Sequence, residues 1–288
     1  MSNHKPVSET LHDGVSVVFD VDDVLYEEST GHHRLSLIQN TVFGKLLMLD
    51  GAVQVTSRDE FMYHEMLAHV PLAAHDNPAS VLIIGGGDCG LAEEVLKHDR
   101  VRTLTQVEID ASVLEFSKEH FSDFNAPVFS DDRFQVEIAD GAAFAAETEK
   151  RFDVILVDST DPDGPGAALF TPGFYRDLKR ILRPGGIVVS QNGVPFLQPE
   201  EFKDAMRGLA SVFEVVSSYL VAVPTYFGGH MTLGWSTDAA ETLSVDESVL
   251  ARRMAGIETR YYTPAHHRAS FALPRFIETL LQEATGKG

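Results

Sequence analysis

Residues 81–90, VLIIGGGDCG, constrain the fold of this chain more than any other stretch. An apolar run ends in a glycine-rich turn, and the spacing Gly85-x-Gly87-x-x-Gly90 fits the first turn of a nucleotide-binding βα unit. Glycine there lets backbone amides come close to a ligand. Asp88 sits inside the turn. A carboxylate repels a pyrophosphate and attracts a cation, so the glycines indicate a nucleotide and the aspartate restricts its kind.

The chain downstream keeps to this plan. Strands are expected at 81–84, 103–109, 134–138, 153–158 and 187–190, alternating with helices at 90–98, 111–120, near 141–149 and at 199–209. Strands at 214–223 and 231–236 complete the series. Thr171-Pro172 opens a further helix, with threonine as cap and proline in the first turn, and Arg183-Pro184-Gly185-Gly186 ends it. Near-continuous apolar strands alternating with helices require an α/β fold, a doubly wound, Rossmann-like parallel sheet covered on both faces.

Before residue 57 the pattern is different. Apolar runs at 15–19, 24–28, 35–39, 44–49 and 52–56, with Asp50-Gly51 between the last two, predict a small antiparallel β-sheet. Segment 57–69, SRDEFMYHEMLAH, has helical spacing with Ser57 or Asp59 as its cap, and Pro71 and Pro78 mark the passage into the second part of the chain. The expected division is a β domain with its connecting helix over 1–70 and a Rossmann-like domain over 71–288.

Charge narrows the ligands. With 43 acidic against 23 basic residues the net charge is −20, which excludes nucleic acid and suits a cationic ligand. No apolar run approaches the ~20 residues that span a bilayer, so no membrane partner is expected. Cys89 is the lone cysteine, an intrachain disulfide is impossible, and the N-terminal residues lack the apolar core of a signal peptide. A cytoplasmic protein is expected.

Acidic residues cluster where strands end, the edge at which open α/β sheets bind ligands. Asp88 follows the first strand, Glu108 and Asp110 the second, Asp140 the third and Asp158 the fourth. Any one of them is explained by helix capping, as Asp110 before Ala111 is, but four in register on one sheet edge point to a site. Glu108 lies 18 positions beyond Gly90, a spacing that suits an acid bonded to ribose hydroxyls and does not separate NAD from an adenosyl sulfonium. Asp140-Gly141 is either an adenine-edge contact or a tight turn. In DSTDPDGPG, residues 158–166, Asp158, Asp161 and Asp163 repel one another unless a cation is near, and a diamine or polyamine would be one.

GGGDCG, VEID, IADG and VDSTDPDGPG together resemble the spermidine synthase family of aminopropyltransferases. The resemblance continues through LDGAVQVTSRDEFMYHEMLAHVPL, VSQNGVPF, VPTYFGGHMTLGWST and RYYTPAHHRASFALP, nearly end to end. It implies a small N-terminal β domain before a Rossmann-like fold of the S-adenosylmethionine-methyltransferase type. It also implies transfer of an aminopropyl group from decarboxylated S-adenosylmethionine to putrescine, giving spermidine and methylthioadenosine. The donor is a co-substrate, so neither cofactor nor metal is implied, and a homodimer or homotetramer is.

By the same resemblance Asp158 is the base, in a loop with Ser159 and Thr160. Asp161 and Tyr63 hold the attacking amine, and His64 and Tyr226 line the polyamine channel. Asp88 takes the amino group of the donor's propyl arm; Gln54 lies nearby. Glu108 meets the ribose, Asp140 with Gly141 the adenine, and Pro165 closes over the nucleoside. Without the resemblance His64 reads as a helix-surface histidine, and Tyr63 and Tyr226 as core aromatics. The chain departs from the family in two places: EESTGHH puts His33 where glutamine is common, and Cys89 stands where glycine or alanine is usual. Cys89 reads as a small buried residue, with some reactivity expected from nearby helix N-terminal amides. Alternatives at this point are an NAD-dependent dehydrogenase, an S-adenosylmethionine-dependent amine N-methyltransferase, a non-catalytic polyamine binder, and an aminopropyltransferase for cadaverine, agmatine or spermidine.

Overall fold

Two parallel strands with fully buried centres hold the middle of a seven-stranded sheet: β7 (Ser80–Gly85) and β10 (Phe152–Asp158). The computed structural model describes residues 4–12, 14–29, 34–160 and 164–286. From β7 the chain winds outward through α2 (Gly90–Leu96), β8 (Thr103–Glu108), α3 (Ala111–His120), α4 (Ser122–Asn125), β9 (Phe134–Ile138) and α5 (Gly141–Glu147). It then returns to β10 and winds the other way through α6 (Pro172–Ile181), β11 (Leu182–Gln191) and α7 (Pro199–Ala210). β12 (Val215–Val221) and β13 (Met231–Thr237) complete the order β12-β13-β11-β10-β7-β8-β9. The direction of winding reverses between β7 and β10, and the crevice beyond their carboxyl ends is where such sheets bind ligands.

The sheet differs from the expected parallel one at one strand: β13 runs antiparallel to β11 and β12. The helix opened by Thr171, whose side chain accepts from the Phe174 amide, stops at Ile181. Arg183-Pro184-Gly185-Gly186 belongs to β11 instead, in an irregular stretch where Gly185 takes φ +79° and the register with β10 shifts. Two apolar layers cover the sheet, one built on residues 60–74 and α2, the other on α5, α6, α7 and the C-terminal helix.

The N-terminal strands form two sheets rather than one. β1 (Val7–His12) pairs with β2 (Val15–Phe19), and β3 (Asp23–Ser29), β4 (Arg34–Asn40), β5 (Gly44–Leu49) and β6 (Ala52–Thr56) form an antiparallel meander. Asp50-Gly51 turns between β5 and β6 with both residues at positive φ, as a tight hairpin needs. Sequence reading missed β1, whose VSETLH carries little of the strand pattern.

The connecting helix α1 (Glu60–Ala74) starts later and ends later than expected. Asp59 takes the N-cap position, but neither proposed cap bonds the first turn with its side chain: Ser57 Oγ accepts from the Lys45 amide, and the Asp59 carboxylate is spent on Thr56 and Thr225. The helix runs through Pro71 to Ala74, and its last carbonyls have partners. Arg100 donates to Leu72 O at 2.7 Å, and Arg253 to Ala73 O and Ala74 O at 2.9 and 2.8 Å. It is also buried on every side, so its polar residues point at partners rather than at water.

Three C-terminal helices, α8 (Glu247–Arg253), α9 (Pro264–Ser270) and α10 (Arg275–Thr285), lie beyond the elements read from sequence. Among the described residues no helix is long and apolar enough to cross a membrane. Glu65 of α1, 1% exposed, clasps this C-terminal part by accepting from the amides of Arg260, Tyr261 and Tyr262 at 2.6, 2.8 and 2.7 Å. A buried carboxylate fully satisfied by three amides is costly to change. Glu65→Gln is expected to lower stability by about 2 kcal/mol in urea unfolding. A loss below about 0.5 kcal/mol would show the clasp to be dispensable.

Candidate active site

A cavity of about 680 Å³ opens at the carboxyl ends of β7, β8 and β10. One wall carries Gly85, Gly86, Gly87, Asp88, Glu108, Asp140, Gly141, Asp158, Ser159 and Thr160; Gln54, Tyr63, His64 and Tyr226 face it from the other side. The candidate site residues read from sequence therefore converge, apart from Asp161 and Pro165. Asp161 lies outside the described residues, as do Asp163 and His33. Pro165 belongs to the 3-10 helix Gly164–Phe170, in which Gly166 and Leu169 line the cavity.

The glycine turn is shaped around Asp158. Gly85 and Gly86 adopt φ +88° and +66°, and the Gly86 amide donates to the Asp158 carbonyl at 2.9 Å. A Cβ on Gly85 would land on that carbonyl oxygen. Gln106 on β8 completes the turn, donating Nε2 to the carbonyls of Gly85 at 2.9 Å and Gly86 at 2.6 Å. Sequence reading passed over it, although an amide inside the apolar run TLTQVEI was a signal. Cys89 is buried at the start of α2 with φ +62°. Burial, with the charges of Asp88 and Glu108, pushes its thiol far up, which removes the expected reactivity.

Asp158 accepts from the Tyr63 hydroxyl at 2.7 Å. Burial and then the Asp88 charge push the Asp158 carboxyl up to about 6, against the opposing effects of His64 and the Tyr63 bond. Burial, reinforced by the Asp158 charge, holds the Tyr63 phenol well above its usual range and hence a donor. Asp88 moves the other way. Burial alone would raise it, but the His64 charge, the His64 bond and the Gly90 amide at 2.7 Å bring it below the ordinary value. Two carboxylates in one cavity are thus driven apart, one held ionised and one poised near neutrality, as acid–base sites require.

His64 is no surface histidine: it is 2% exposed, 3.0 Å from Glu60 Oε2 and 3.5 Å from Asp88 Oδ1. A side chain on Gly90 would strike its ring. Tyr226 packs edge-to-face on Tyr63 at 5.7 Å and donates to Gln54 O at 2.6 Å. Its loop is tied down by Asp59, whose Oδ2 accepts from the Thr225 amide and hydroxyl at 3.0 and 2.7 Å.

Glu108 lines the cavity with its Oε1 accepting from the Asp110 amide at 3.0 Å, and burial raises its carboxyl. Asp110 caps α3 as expected. Asp140 lines the cavity and caps α5 through the amides of Ala142 and Ala143. Gln191 positions the loop after β10 by donating to Ser159 O at 3.1 Å. Glu9 and Glu201 also line the cavity, and neither was singled out from sequence.

Comparison with known proteins agrees with this architecture. The family model described as "Spermine/spermidine synthase domain" matches residues 60–246, and "Spermidine synthase tetramerisation domain" matches residues 7–57. The polyamine aminopropyltransferase of Shigella flexneri is 50% identical over 284 residues, covering 98% of either chain. That of Salmonella arizonae is 50% identical over 276 residues, 95% of this chain and 96% of its own. The chain belongs to the spermine/spermidine synthase family. A solved spermidine synthase in complex with the transition-state analogue AdoDATO superposes on this aminopropyltransferase with a TM-score of 0.93 at 35% identity, covering 98% and 96% of the two chains. Spermidine synthase from Thermotoga maritima gives 0.89 at 34% identity, with 97% and 94% covered.

The raised carboxyl of Asp158 has a measurable consequence. Its folded value of about 6 lies above the unfolded one, so the stability it contributes is fully present below about pH 4 and lost as pH rises through about 6. Asp158→Asn is therefore expected to stabilise the ligand-free aminopropyltransferase relative to wild type by on the order of 2 kcal/mol more at pH 8 than at pH 4. Equal differences at both pH values, read from urea unfolding, would contradict the burial of this charge.

Proposed function

We propose that this aminopropyltransferase moves the aminopropyl group of decarboxylated S-adenosylmethionine onto putrescine, with Asp158 as the base. The observation that carries this reading is the pair Asp88 and Asp158 in one cavity, one ionised and the other near neutrality. A donor with an ammonium and a sulfonium, and an acceptor with two ammoniums, are what such a cavity attracts.

The reaction is a direct displacement. The acceptor nitrogen bonds to the propyl carbon next to sulfur, the C–S bond breaks towards sulfur, and methylthioadenosine departs neutral. Sulfonium is already an excellent leaving group, so the protein's tasks are alignment and removal of a proton. An alkylammonium has no lone pair until it gives up that proton, which Asp158 accepts. Tyr63 keeps the Asp158 carboxylate oriented and with Asp161 holds the amine, in a channel lined by His64 and Tyr226. Asp88 binds the donor's ammonium, Glu108 the ribose, Asp140 and Gly141 the adenine, with Gln54 and Pro165 flanking and Ser159 and Thr160 in the closing loop. No cofactor takes part, the donor being a co-substrate.

Asp88 and Asp158 also explain donor choice. Ordinary S-adenosylmethionine carries a carboxylate beside its amino group, and a further anion between these acids is repelled. The match of residues 7–57 to a tetramerisation domain supports a homodimer or homotetramer held by the N-terminal strands. A cytoplasmic location is proposed.

Two variants test the assignment. Asp158→Asn is expected to lower turnover, followed as methylthioadenosine release, by about 10²–10⁴-fold with donor affinity largely kept; an unchanged rate refutes the base. Asp88→Asn is expected to reduce the preference for decarboxylated over ordinary donor by roughly tenfold or more. A panel of putrescine, cadaverine, agmatine and spermidine as acceptors, run with both donors, separates putrescine from its competitors and aminopropyl from methyl transfer.

A further inference from the structure

Glu60, the first residue of α1, has no part in the chemistry described above, yet it is only 8% exposed and aimed at the site. Its Oε2 lies 3.0 Å from His64 Nδ1. The other ring nitrogen, Nε2, lies 3.5 Å from Asp88 Oδ1. A neutral imidazole has one N–H; with a carboxylate at each nitrogen, only the imidazolium donates to both. The Gly90 amide donates to the same Asp88 oxygen at 2.7 Å. Oδ1 is thereby engaged twice, and Oδ2 is the oxygen left for a ligand.

Resting on the reading of Asp88 as the donor's ammonium site, we propose that Glu60 is a positioning residue: it holds His64 as a cation, and His64 in turn fixes the Asp88 carboxylate for the donor. The surroundings agree. His64 is faced by Glu60 and Tyr63 from α1, by Asp88 from the glycine turn, and by Asp158 at the end of β10; the Phe124 ring of α4 closes the remaining side at 6.4 Å. Glu60 is itself oriented by the C-terminal part of the chain, with Arg260 Nη1 3.9 Å from its Oε1 and the guanidinium 3.6 Å from the centre of the Phe61 ring. Burial opposes a charge on His64, but the Asp88 and Glu60 carboxylates outweigh it and hold the imidazole well above its ordinary value. The cation also offsets part of the repulsion that would otherwise prevent Asp88 from staying ionised beside Asp158.

The test is donor affinity as a function of pH. In wild type the dissociation constant of decarboxylated S-adenosylmethionine, measured by calorimetry, should be nearly flat from about pH 7 to about pH 8.5, above the range in which Asp158 takes up its proton. In Glu60→Gln one of the two carboxylates that hold the imidazolium is gone, so the imidazole gives up its second proton at lower pH than in wild type, within this range, and stops donating to Asp88. Affinity is then expected to match wild type within about threefold at the acid end and to fall roughly tenfold by the alkaline end. Glu60→Asp should restore part of the flat profile. A uniform loss at all pH values, or none, overturns the proposal. Wild-type protein that binds the donor without transferring its aminopropyl group would break the functional reading, while the comparison of the two affinity profiles would still decide the role of Glu60. Should Glu60→Gln fail to fold, long-range ¹H–¹⁵N spectra of wild type, with His64 assigned by its loss in His64→Gln, decide the matter. Two protonated ring nitrogens at about pH 8 support the proposal and one overturns it.

Discussion

The adjacency of β7 and β10 is the constraint on which the rest of this aminopropyltransferase depends. Gly85 stands opposite Asp158 in the parallel register, and the Gly86 amide binds the Asp158 carbonyl. A side chain at Gly85 would collide with that carbonyl, so the turn can close on the strand end only because glycine occupies the position. This single juxtaposition sets the cavity floor, the direction of Asp88 and the placing of the proposed base.

Packing acids together has a cost, and the fold answers it group by group. Asp88 is offset by His64 and a backbone amide, Glu108 by backbone amides, and Asp140 by the first turn of α5. Asp158 has the His64 charge and a tyrosine hydroxyl, and its carboxyl is still raised. The least compensated acid is the one proposed to do the proton transfer. Function and local stability oppose each other at this residue, as expected where a charge is kept out of water for chemical use.

α1 links the two parts of the chain in the same economical manner. Its sequence mixes apolar and polar residues at helical spacing, yet Glu60, His64, Glu65 and His69 are all buried and each meets a partner from a distant segment. The segment between α8 and α9, invisible to the pattern of strands and turns, supplies the amides that hold Glu65 and the guanidinium near Glu60. A residue near position 260 thus borders the same network as the glycine turn at 85–90.

The features legible in the chain alone are periodic or local. The apolar strands, the glycine turn, the Asp50-Gly51 hairpin, the Thr171-Pro172 start and the acids at strand ends come from backbone preferences and short spacings, which any segment carries with it. Helix limits around Pro71 and Arg183 were misread because side chains from far away, Arg100 and Arg253, satisfy the carbonyls of α1, and because pairing with β10 extends β11. It took the folded chain to bury His64 between two carboxylates, to brace the site with Gln106 and Asp59, and to give Asp88 and Asp158 separate acidities. The physical reason is that burial and electrostatic pairing belong to groups brought together from distant parts of the chain, and no spacing along the sequence measures the distance between them.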